Sequence, residues 1–278
     1  MKKWLLASIL VLIISTLAAC GGSSESSGSK DEKAEGLYSD EKLVIGVTAG
    51  PHEQILEKVK ELAEKEDLNI EIKVFTDYVM PNIALDEKEL DLNIFQTEPY
   101  FNAFKEDRKL DLVKSFDTVS FPMGVYSLKV KDIAELKDGA KIGLPSDPTN
   151  SGRALLLFEK AGLIKLNPDT GLNSTVKDIE ENKNNYEFIE LDSAQIARQL
   201  DELDAAAINT NFAIEAGFTP SKDAIFIEPK DSPFVNHAAV RTENKDDEII
   251  TKLADIYRSE EIAKFVEEEF DGSVVPSW

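Results

Sequence analysis

The order of strands and helices between residues 43 and 75 constrains the fold more than any other feature of this sequence. Leu43-Val44-Ile45-Gly46-Val47 is an uninterrupted apolar run, typical of a buried strand. After a Gly-Pro turn, apolar residues from Ile55 to Ala63 recur at helical spacing, and Ile70 to Phe75 alternate like a second strand. A strand, a helix and a strand in succession predict a right-handed parallel unit, and therefore an α/β fold.

A similar unit occurs a second time further along the chain. Leu90-Asp91 and Leu203-Asp204 each follow a helix-like segment, and each precedes a short apolar strand and a polar loop. This internal similarity predicts two lobes of similar construction, although two unrelated strand–helix–strand units would also produce it.

Two extended passages indicate where the chain crosses between the predicted lobes. The first runs from Leu112 to Leu128 with a break at Pro122, and the second contains strand-like residues between Ala224 and Val240. We expect these passages to form a two-strand hinge. The predicted lobes are then residues 40–121 with 235–278, and residues 122–234.

Residues 1–19 have the pattern of a secretion signal peptide. Met1-Lys2-Lys3 is basic, and Leu5 to Leu17 is an apolar run too short to span a bilayer comfortably. The run ends in Leu17-Ala18-Ala19-Cys20-Gly21, which resembles the lipobox of bacterial lipoproteins. The resemblance implies cleavage before Cys20 and acyl chains on that cysteine. An ordinary signal peptide or a plain anchor helix is the alternative.

Residues 20–39 are predicted to be a lipidated, flexible tether. Gly21 to Gly36 contains glycine, serine, lysine and glutamate but no large apolar residue, so it cannot bury enough surface to fold. Several acyl chains on one residue anchor a protein stably. We therefore expect the folded body, beginning near Asp40, to work beside the cell membrane on its extracytoplasmic face.

Charge and composition exclude some partners and sites. The formal net charge is −22, and loss of Lys2 and Lys3 with the signal peptide makes it more negative. Nucleic-acid binding needs a basic surface, which this chain lacks, and an acidic body is repelled by anionic lipid. One cysteine excludes an internal disulfide and multi-cysteine metal sites, and two histidines leave little for a histidine-based one. No cofactor is expected.

The stretch from Pro145 to Phe158 is the strongest candidate for a binding site. It follows the strand-like run Lys141 to Leu144, and Ala154 to Phe158 is helix-forming, so its polar residues lie at a strand–helix junction. Any of three residues there is a possible helix cap: Thr149, Asn150 or Ser151.

Arg153 falls in the first turn of this predicted helix. A helix N-terminus attracts anions, and the planar guanidinium takes a carboxylate with two parallel hydrogen bonds. Gly152 beside it would let a ligand approach the backbone. The sequence therefore predicts a carboxylate clamp, with an ordinary capped helix and a solvated arginine as the alternative.

Eight short motifs occur in a characteristic order along the chain. They are Cys20, Asp77-Tyr78, Asn93-Ile94-Phe95-Gln96, Pro99-Tyr100, Asp147-Pro148-Thr149-Asn150, Gly152-Arg153, Ile208-Asn209 and Asp231-Ser232-Pro233-Phe234-Val235-Asn236. This ordered series resembles the methionine-binding, NlpA-type lipoprotein family, the substrate-binding proteins of ABC importers, and the resemblance covers essentially the whole mature body.

The resemblance implies a type II periplasmic binding protein, with two α/β lobes that close over a ligand on a two-strand hinge. It implies that Arg153 of the D-P-T-N-x-G-R motif binds the carboxylate of an amino acid. It implies that Asn211 and Asn236 hold the amino group and backbone. The ligand side chain would pack among aromatic rings, and the full set of predicted ligand-binding residues is Arg153, Asn211, Asn236, Tyr78, Phe121, Thr97, Tyr100 and Asn150.

Thr97 departs from the family pattern, which has histidine after the F-Q pair. A smaller, non-aromatic residue would widen or re-polarise the side-chain end of the pocket. Methionine is the expected ligand, and a methionine-containing dipeptide or another small amino acid is the alternative.

We therefore expect a monomeric capture protein that delivers a small amino acid to a membrane permease and is not an enzyme. Two other classes are the alternatives. An extracytoplasmic enzyme would use His52 or His237 with nearby carboxylates, although no nucleophile or metal motif accompanies them. A metal-capture lipoprotein would need carboxylate ligands, which suit hard cations.

Overall fold

Two β-sheets organise the part of the chain that this computed structural model describes, residues 36–37, 41–229 and 232–278. The predicted signal peptide, Cys20 and nearly all of the predicted tether lie outside the described residues. Among the described helices, none combines the length and the apolar character needed to cross a membrane.

The described residues form thirteen strands and eight α-helices. The strands are β1 Leu43–Thr48, β2 Ile70–Phe75, β3 Leu92–Thr97, β4 Leu112–Ser120, β5 Gly124–Tyr126, β6 Lys141–Pro145, β7 Lys165–Leu166, β8 Ile179–Glu181, β9 Glu187–Leu191, β10 Ala205–Ile208, β11 Phe226–Ile227, β12 Val235–Arg241 and β13 Val275–Pro276. The helices are α1 Pro51–Glu64, α2 Met80–Asp86, α3 Glu98–Arg108, α4 Pro148–Lys160, α5 Thr210–Glu215, α6 Pro220–Asp223, α7 Glu248–Tyr257 and α8 Glu260–Phe270.

The two larger sheets have the same internal order. The first runs β2-β1-β3-β12-β4-β13, and the second runs β9-β6-β10-β5-β11. In each sheet the first three strands are parallel and the strand after them is antiparallel. Separate apolar clusters pack on each sheet, so the fold is an α/β fold with two lobes, as predicted.

The similarity between Leu90-Asp91 and Leu203-Asp204 has a structural counterpart. Asp91 Oδ2 accepts a hydrogen bond from the backbone N–H of Val44 at 2.7 Å, and its own N–H donates to the carbonyl of Val44 at 2.8 Å. Asp204 makes the same pair of contacts with Lys141, both at 2.8 Å. In both lobes an aspartate thus fixes the register between two neighbouring parallel strands.

The chain passes between the sheets at two places. The predicted strand from Leu112 to Leu128 is divided into β4 and β5, which belong to different sheets, with Phe121 to Met123 between them. The return passage lies between β11 and β12. As a result, the chain comes from the first lobe into β5, which belongs to the second sheet. It comes from the second lobe into β12, which belongs to the first sheet.

Three local features differ from the sequence-based expectation. The helix-like segment before Leu203-Asp204, which the sequence predicts as a helix from Ala194 to Glu202, is only a 3₁₀ turn at Ala197–Gln199. The apolar residues between Ile249 and Val266 predict one amphipathic closing helix, but the chain forms two, α7 and α8, because Ser259 caps the second by accepting from Ile262 N–H. Leu37, within the predicted tether, is buried in the first core, and its N–H donates to Asp247 Oδ2 at 2.8 Å.

Candidate functional site

One narrow cavity lies where residues that lie in or follow the strands of both sheets meet Phe121 of the first crossing. Measured as space open to the centre of a water molecule, its volume is about 30 Å³. All eight residues that the sequence predicts for ligand binding line it. The lining is His52, Tyr78, Phe95, Gln96, Thr97, Tyr100, Phe121, Asn150, Arg153, Asn209, Thr210, Asn211 and Asn236.

The parallel strands explain why these residues meet. β1, β3, β6 and β10 each end at the cavity and lead within a few residues into a helix. The carboxyl ends of parallel strands form the usual ligand-binding edge of an open α/β sheet. Each lobe contributes such an edge, and the two edges face the same cavity.

The N-cap of α4 differs from the three residues that the sequence predicts for it. Asp147, rather than Thr149, Asn150 or Ser151, is the N-cap, and its Oδ1 accepts from Asn150 N–H at 2.9 Å. Pro148 at the first helical position explains the shift, because proline favours that position and leaves the preceding residue as the cap. Burial raises the pKa of the Asp147 carboxyl, and its hydrogen bonds with Asn150 oppose that shift.

Gly152 makes room for backbone rather than for a ligand. A Cβ at this position would lie 2.1 Å from the carbonyl oxygen of Leu172. The segment around Leu172 therefore packs directly on α4 at Gly152, its fifth residue. Arg153 is the sixth residue and lies in the second turn rather than in the predicted first turn, because the helix begins at Pro148. The expectation that Gly152 admits a ligand to the backbone is replaced by this close contact within the lobe.

The side chain of Arg153 is buried, with 4% of its surface exposed, and its charge is paired within the protein. Its Nε donates to Glu228 Oε1 at 2.9 Å, and its Nη2 donates to Glu228 Oε2 at 2.5 Å and to the Phe121 carbonyl at 2.8 Å. The guanidinium also lies 4.1 Å from the ring centroid of Phe234. Nη1 makes no hydrogen bond to the described residues, so this nitrogen of the guanidinium remains available as a donor.

A chain of hydrogen bonds runs from Asp147 to Asn209. Asn150 Nδ2 donates to both carboxylate oxygens of Asp147 at 3.1 Å, and Asn209 Nδ2 donates to Asn150 Oδ1 at 3.0 Å. The chain fixes the orientation of the Asn209 amide. Its buried Oδ1 has no hydrogen-bond partner among the described residues, so the cavity contains an available acceptor.

Asn211 presents the opposite kind of group. Its Oδ1 accepts from the hydroxyl of Tyr78 at 2.5 Å, while its buried Nδ2 has no partner within the described ranges. The resemblance implies that Asn211 and Asn236 hold the amino group and backbone of an amino acid. The atom that Asn211 leaves available is a donor, which suits a carboxylate. Asn236 Nδ2 is bound to the Val119 carbonyl at 3.1 Å, which orients that amide at the cavity wall.

Aromatic rings form the apolar part of the cavity. The Tyr78 ring lies 5.9 Å from that of Phe95 and 5.8 Å from that of Tyr100, and the Tyr100 hydroxyl donates to the Tyr78 carbonyl at 2.9 Å. Burial raises the pKa of both tyrosines, so both hydroxyls stay protonated. Thr97, only 8% exposed, lies beside this group at the start of α3.

The two histidines occupy different environments. His52 lines the cavity with its ring 4.6 Å from that of Phe121, and burial lowers its pKa to about 3. His237 is fully buried against Phe101 and does not line the cavity. His52 is therefore neutral at physiological pH and can only exchange hydrogen bonds there. Across residues 36–37, 41–229 and 232–278, no three histidine, cysteine, aspartate or glutamate side chains are grouped to hold a metal ion.

Sequence reasoning missed Asn209 as an available acceptor and Glu228 as the partner of Arg153. Asn209 follows an apolar strand directly, a position that marks the ligand-binding edge of a sheet. Glu228 had no such signal, because it lies 75 positions from Arg153 and in an irregular segment.

Comparisons with known proteins identify the family of this chain. A model of the family described as NlpA lipoprotein matches residues 43–278. A probable D-methionine-binding lipoprotein MetQ from Vibrio cholerae serotype O1 is 41% identical over 281 residues, covering 99% of this chain and 100% of that protein.

Two solved structures extend the comparison to the fold. A nutrient binding protein from Burkholderia cenocepacia bound to methionine has a TM-score of 0.83 at 42% identity, covering 85% of this chain and 100% of that one. A periplasmic substrate-binding protein of an ABC transporter from Coxiella burnetii has a TM-score of 0.82 at 41% identity, covering 84% and 100%. Together these matches show that the chain belongs to the NlpA lipoprotein family.

Proposed function

We propose that this protein is an extracytoplasmic lipoprotein that captures methionine and delivers it to an ABC importer. The relatives support each element: one is named a D-methionine-binding lipoprotein, one is a structure with methionine bound, and one is a substrate-binding protein of an ABC transporter. The lipobox-like sequence at Cys20 supports a lipid anchor on the outer face of the cell membrane. We propose that the protein acts as a monomer and binds without turnover.

The single observation that carries the proposal is the pattern of unpartnered polar groups in the cavity. Arg153 Nη1 and Asn211 Nδ2 are donors, and Asn209 Oδ1 is an acceptor. Two donors suit a carboxylate and an acceptor suits an ammonium, so together they match the backbone of an amino acid. We assign the carboxylate to Arg153 and Asn211, and the ammonium to Asn209.

The remaining predicted contacts fit the ligand side chain. Tyr78, Tyr100, Phe121 and Thr97 offer a largely apolar wall with three hydroxyls, and a polarisable thioether packs favourably against aromatic edges. At about 30 Å³ the cavity is narrow, since one water needs roughly 10–15 Å³ on this measure. A narrow cavity favours an unbranched side chain such as that of methionine.

Binding is proposed to involve closure of the two lobes, taken as residues 40–121 with 235–278 and residues 122–234. The two crossings between the sheets support a hinge at these boundaries. The Tyr78 hydroxyl, from the first lobe, bonds Asn211 of the second across the cavity. Such a contact is available only when the lobes are closed.

Mass spectrometry and calorimetry test this proposal together. Denaturing the purified soluble body should release methionine in stoichiometric amount, and the emptied protein should rebind it in isothermal titration. Titration with the separate L and D forms identifies the stereochemistry. Release of a different compound, with no heat on adding either form of methionine, would contradict the proposed ligand. Steady product formation from amino-acid esters or dipeptides would instead favour the enzyme.

A further inference from the structure

The guanidinium of Arg153 is held by a carboxylate that lies outside the cavity lining. Glu228 is 7% exposed and receives two hydrogen bonds from Arg153, at 2.9 and 2.5 Å. Its carboxylate also accepts from Met123 N–H at 2.9 Å and from the Ser232 hydroxyl at 3.4 Å. Glu228 therefore lies behind Arg153 as seen from the ligand and is tied to both crossings.

These contacts fix which edge of Arg153 can meet a ligand. Glu228 occupies the Nε and Nη2 edge, and the Phe121 carbonyl takes a further Nη2 hydrogen. The Phe234 ring covers one face of the guanidinium. Only Nη1 lacks a hydrogen bond within the described residues, so Nη1 is the nitrogen that Arg153 offers to a ligand in the cavity.

The pair also sets the electrostatic balance of the cavity. Arg153 is the one residue of the lining that is charged at neutral pH, because burial keeps the only histidine there, His52, neutral. Glu228 cancels that single positive charge from behind. Asp147, a second carboxylate outside the lining, supports the Asn209 acceptor through Asn150.

A cancelled charge favours one class of ligand. An isolated buried guanidinium would bind any carboxylate, because pairing would relieve a large desolvation cost. Pairing with Glu228 already offsets the desolvation cost of the guanidinium, so an anionic ligand brings an uncompensated negative charge into the cavity. A zwitterion brings no net charge.

We propose that Glu228 is a positioning and specificity-determining residue, which orients Arg153 and cancels its charge so that the site selects net-neutral amino acids over their anionic analogues. This inference rests on the proposed function, since it takes the amino-acid ligand as given.

The test compares two probes that differ in one group. Methionine is a zwitterion, and 2-hydroxy-4-(methylthio)butanoate replaces its ammonium with a hydroxyl and is an anion. Titration calorimetry gives the ratio of their dissociation constants in the wild-type protein and in Glu228→Gln. The Gln variant keeps a hydrogen-bond acceptor but removes the negative charge. We expect the preference for methionine over the anion to fall by about tenfold, which is the factor that corresponds to an electrostatic interaction of one pKa unit.

Two further variants separate charge from position. Glu228→Asp keeps the charge but shortens the side chain, so both probes should bind more weakly while their ratio is unchanged. Glu181→Gln makes the same chemical change at an exposed carboxylate, paired with Lys165 and Lys183 and outside the cavity lining, and should alter neither constant. An unchanged ratio in Glu228→Gln, measured on a variant that folds, would overturn the proposal.

A measurement on the wild type alone keeps the inference testable if Glu228→Gln does not fold. The third probe is 3-(methylthio)propylamine, the cation that lacks the carboxylate. A neutral site should bind the anion and the cation with affinities within about tenfold of each other. An anion that binds more than roughly a hundredfold tighter would show an uncancelled positive charge and overturn the role of Glu228. Failure of methionine itself to bind would instead contradict the proposed function, and the same comparison would then use the released ligand and its two analogues.

Discussion

At the scale of single residues, burial decides what a charged or titratable side chain can do. Arg153 is only 4% exposed, and a buried charge is tolerated when it is paired and hydrogen-bonded. Glu228 provides that pairing. His237 shows the opposite solution, because it is buried in its neutral form with neither ring nitrogen bonded to a described residue.

His237 should make the protein less stable in mild acid. Burial lowers its pKa to about 4 from 6.5, with Lys114 and Lys105 adding to the shift and Glu98 and Asp117 opposing it. Between these values the unfolded chain binds the proton and the folded protein does not. Stability is therefore full above pH 6.5 and falls as the pH drops toward 4. From pH 7.5 to pH 5 this histidine alone should cost about 2 kcal/mol of the free energy of unfolding.

Replacing the histidine isolates its share of the pH dependence. In urea unfolding, His237→Leu should show a loss of stability between pH 7.5 and pH 5 that is smaller than that of the wild type by about 2 kcal/mol. The variant retains His52, so some dependence persists. Identical pH profiles for the two proteins would mean that His237 titrates normally in the folded state.

At the scale of elements, the β6–α4 junction combines a local signal with a contact from distant residues. Asp147 caps the helix through Asn150 N–H, and Pro148 starts it. Gly152, the fifth residue of the helix, is set by packing, because the Leu172 carbonyl would lie 2.1 Å from a Cβ at this position. The position of Arg153 therefore depends on both the cap and the segment around Leu172.

Gly152→Ala should destabilise the protein, although alanine is the better helix former. The added methyl must displace the backbone at Leu172, and overpacking of this kind costs about 1–3 kcal/mol. Thermal and urea unfolding of the ligand-free protein measure the loss. Ser151→Ala is the matched control in the same turn, since the Ser151 hydroxyl has no partner in the described part of the chain. If both variants were as stable as the wild type, the close contact at Leu172 would be wrong.

At the scale of the whole molecule, Tyr78 joins the two lobes beside the cavity. Tyr78 donates to Asn211 Oδ1 at 2.5 Å, and its ring lies 4.9 Å from that of Phe212. Both partners belong to α5, on the opposite lobe from Tyr78. The contact between the lobes and the proposed ligand contact thus share one side chain.

Tyr78→Phe should weaken methionine binding by roughly 2- to 12-fold, the equivalent of one hydrogen bond worth about 0.5–1.5 kcal/mol. The ring and its packing are retained, so the effect should come from closure rather than from loss of the apolar wall. Calorimetry gives the affinity, and small-angle scattering with methionine present reports whether the lobes close less completely.

Tyr126→Phe serves as the control for this change. It removes a buried hydroxyl that has no partner among the described residues and lies in the core of the second lobe. Its methionine affinity should equal that of the wild type. Equal affinities in Tyr78→Phe and Tyr126→Phe would show that the Tyr78 hydroxyl does not contribute to closure.

The sequence by itself determined the α/β class, the two similar lobes and the position of Arg153 at a strand–helix junction. These features depend on short-range periodicity and turn chemistry, which neighbouring residues carry. The family resemblance added the residues that line the cavity.

Only the tertiary structure decided which atoms of those residues are available. Glu228 pairs with Arg153, 75 positions away in the sequence. The Tyr78 hydroxyl, 133 positions from Asn211, occupies the Oδ1 acceptor of that residue and leaves only its Nδ2 donor available. The Leu172 carbonyl leaves no room for a Cβ at position 152, and this is likewise a contact between two separate segments of the chain. Such pairings follow from how the lobes and crossings pack, and no local pattern records them, because an amide or a guanidinium reads the same in the sequence whichever of its atoms is already bonded.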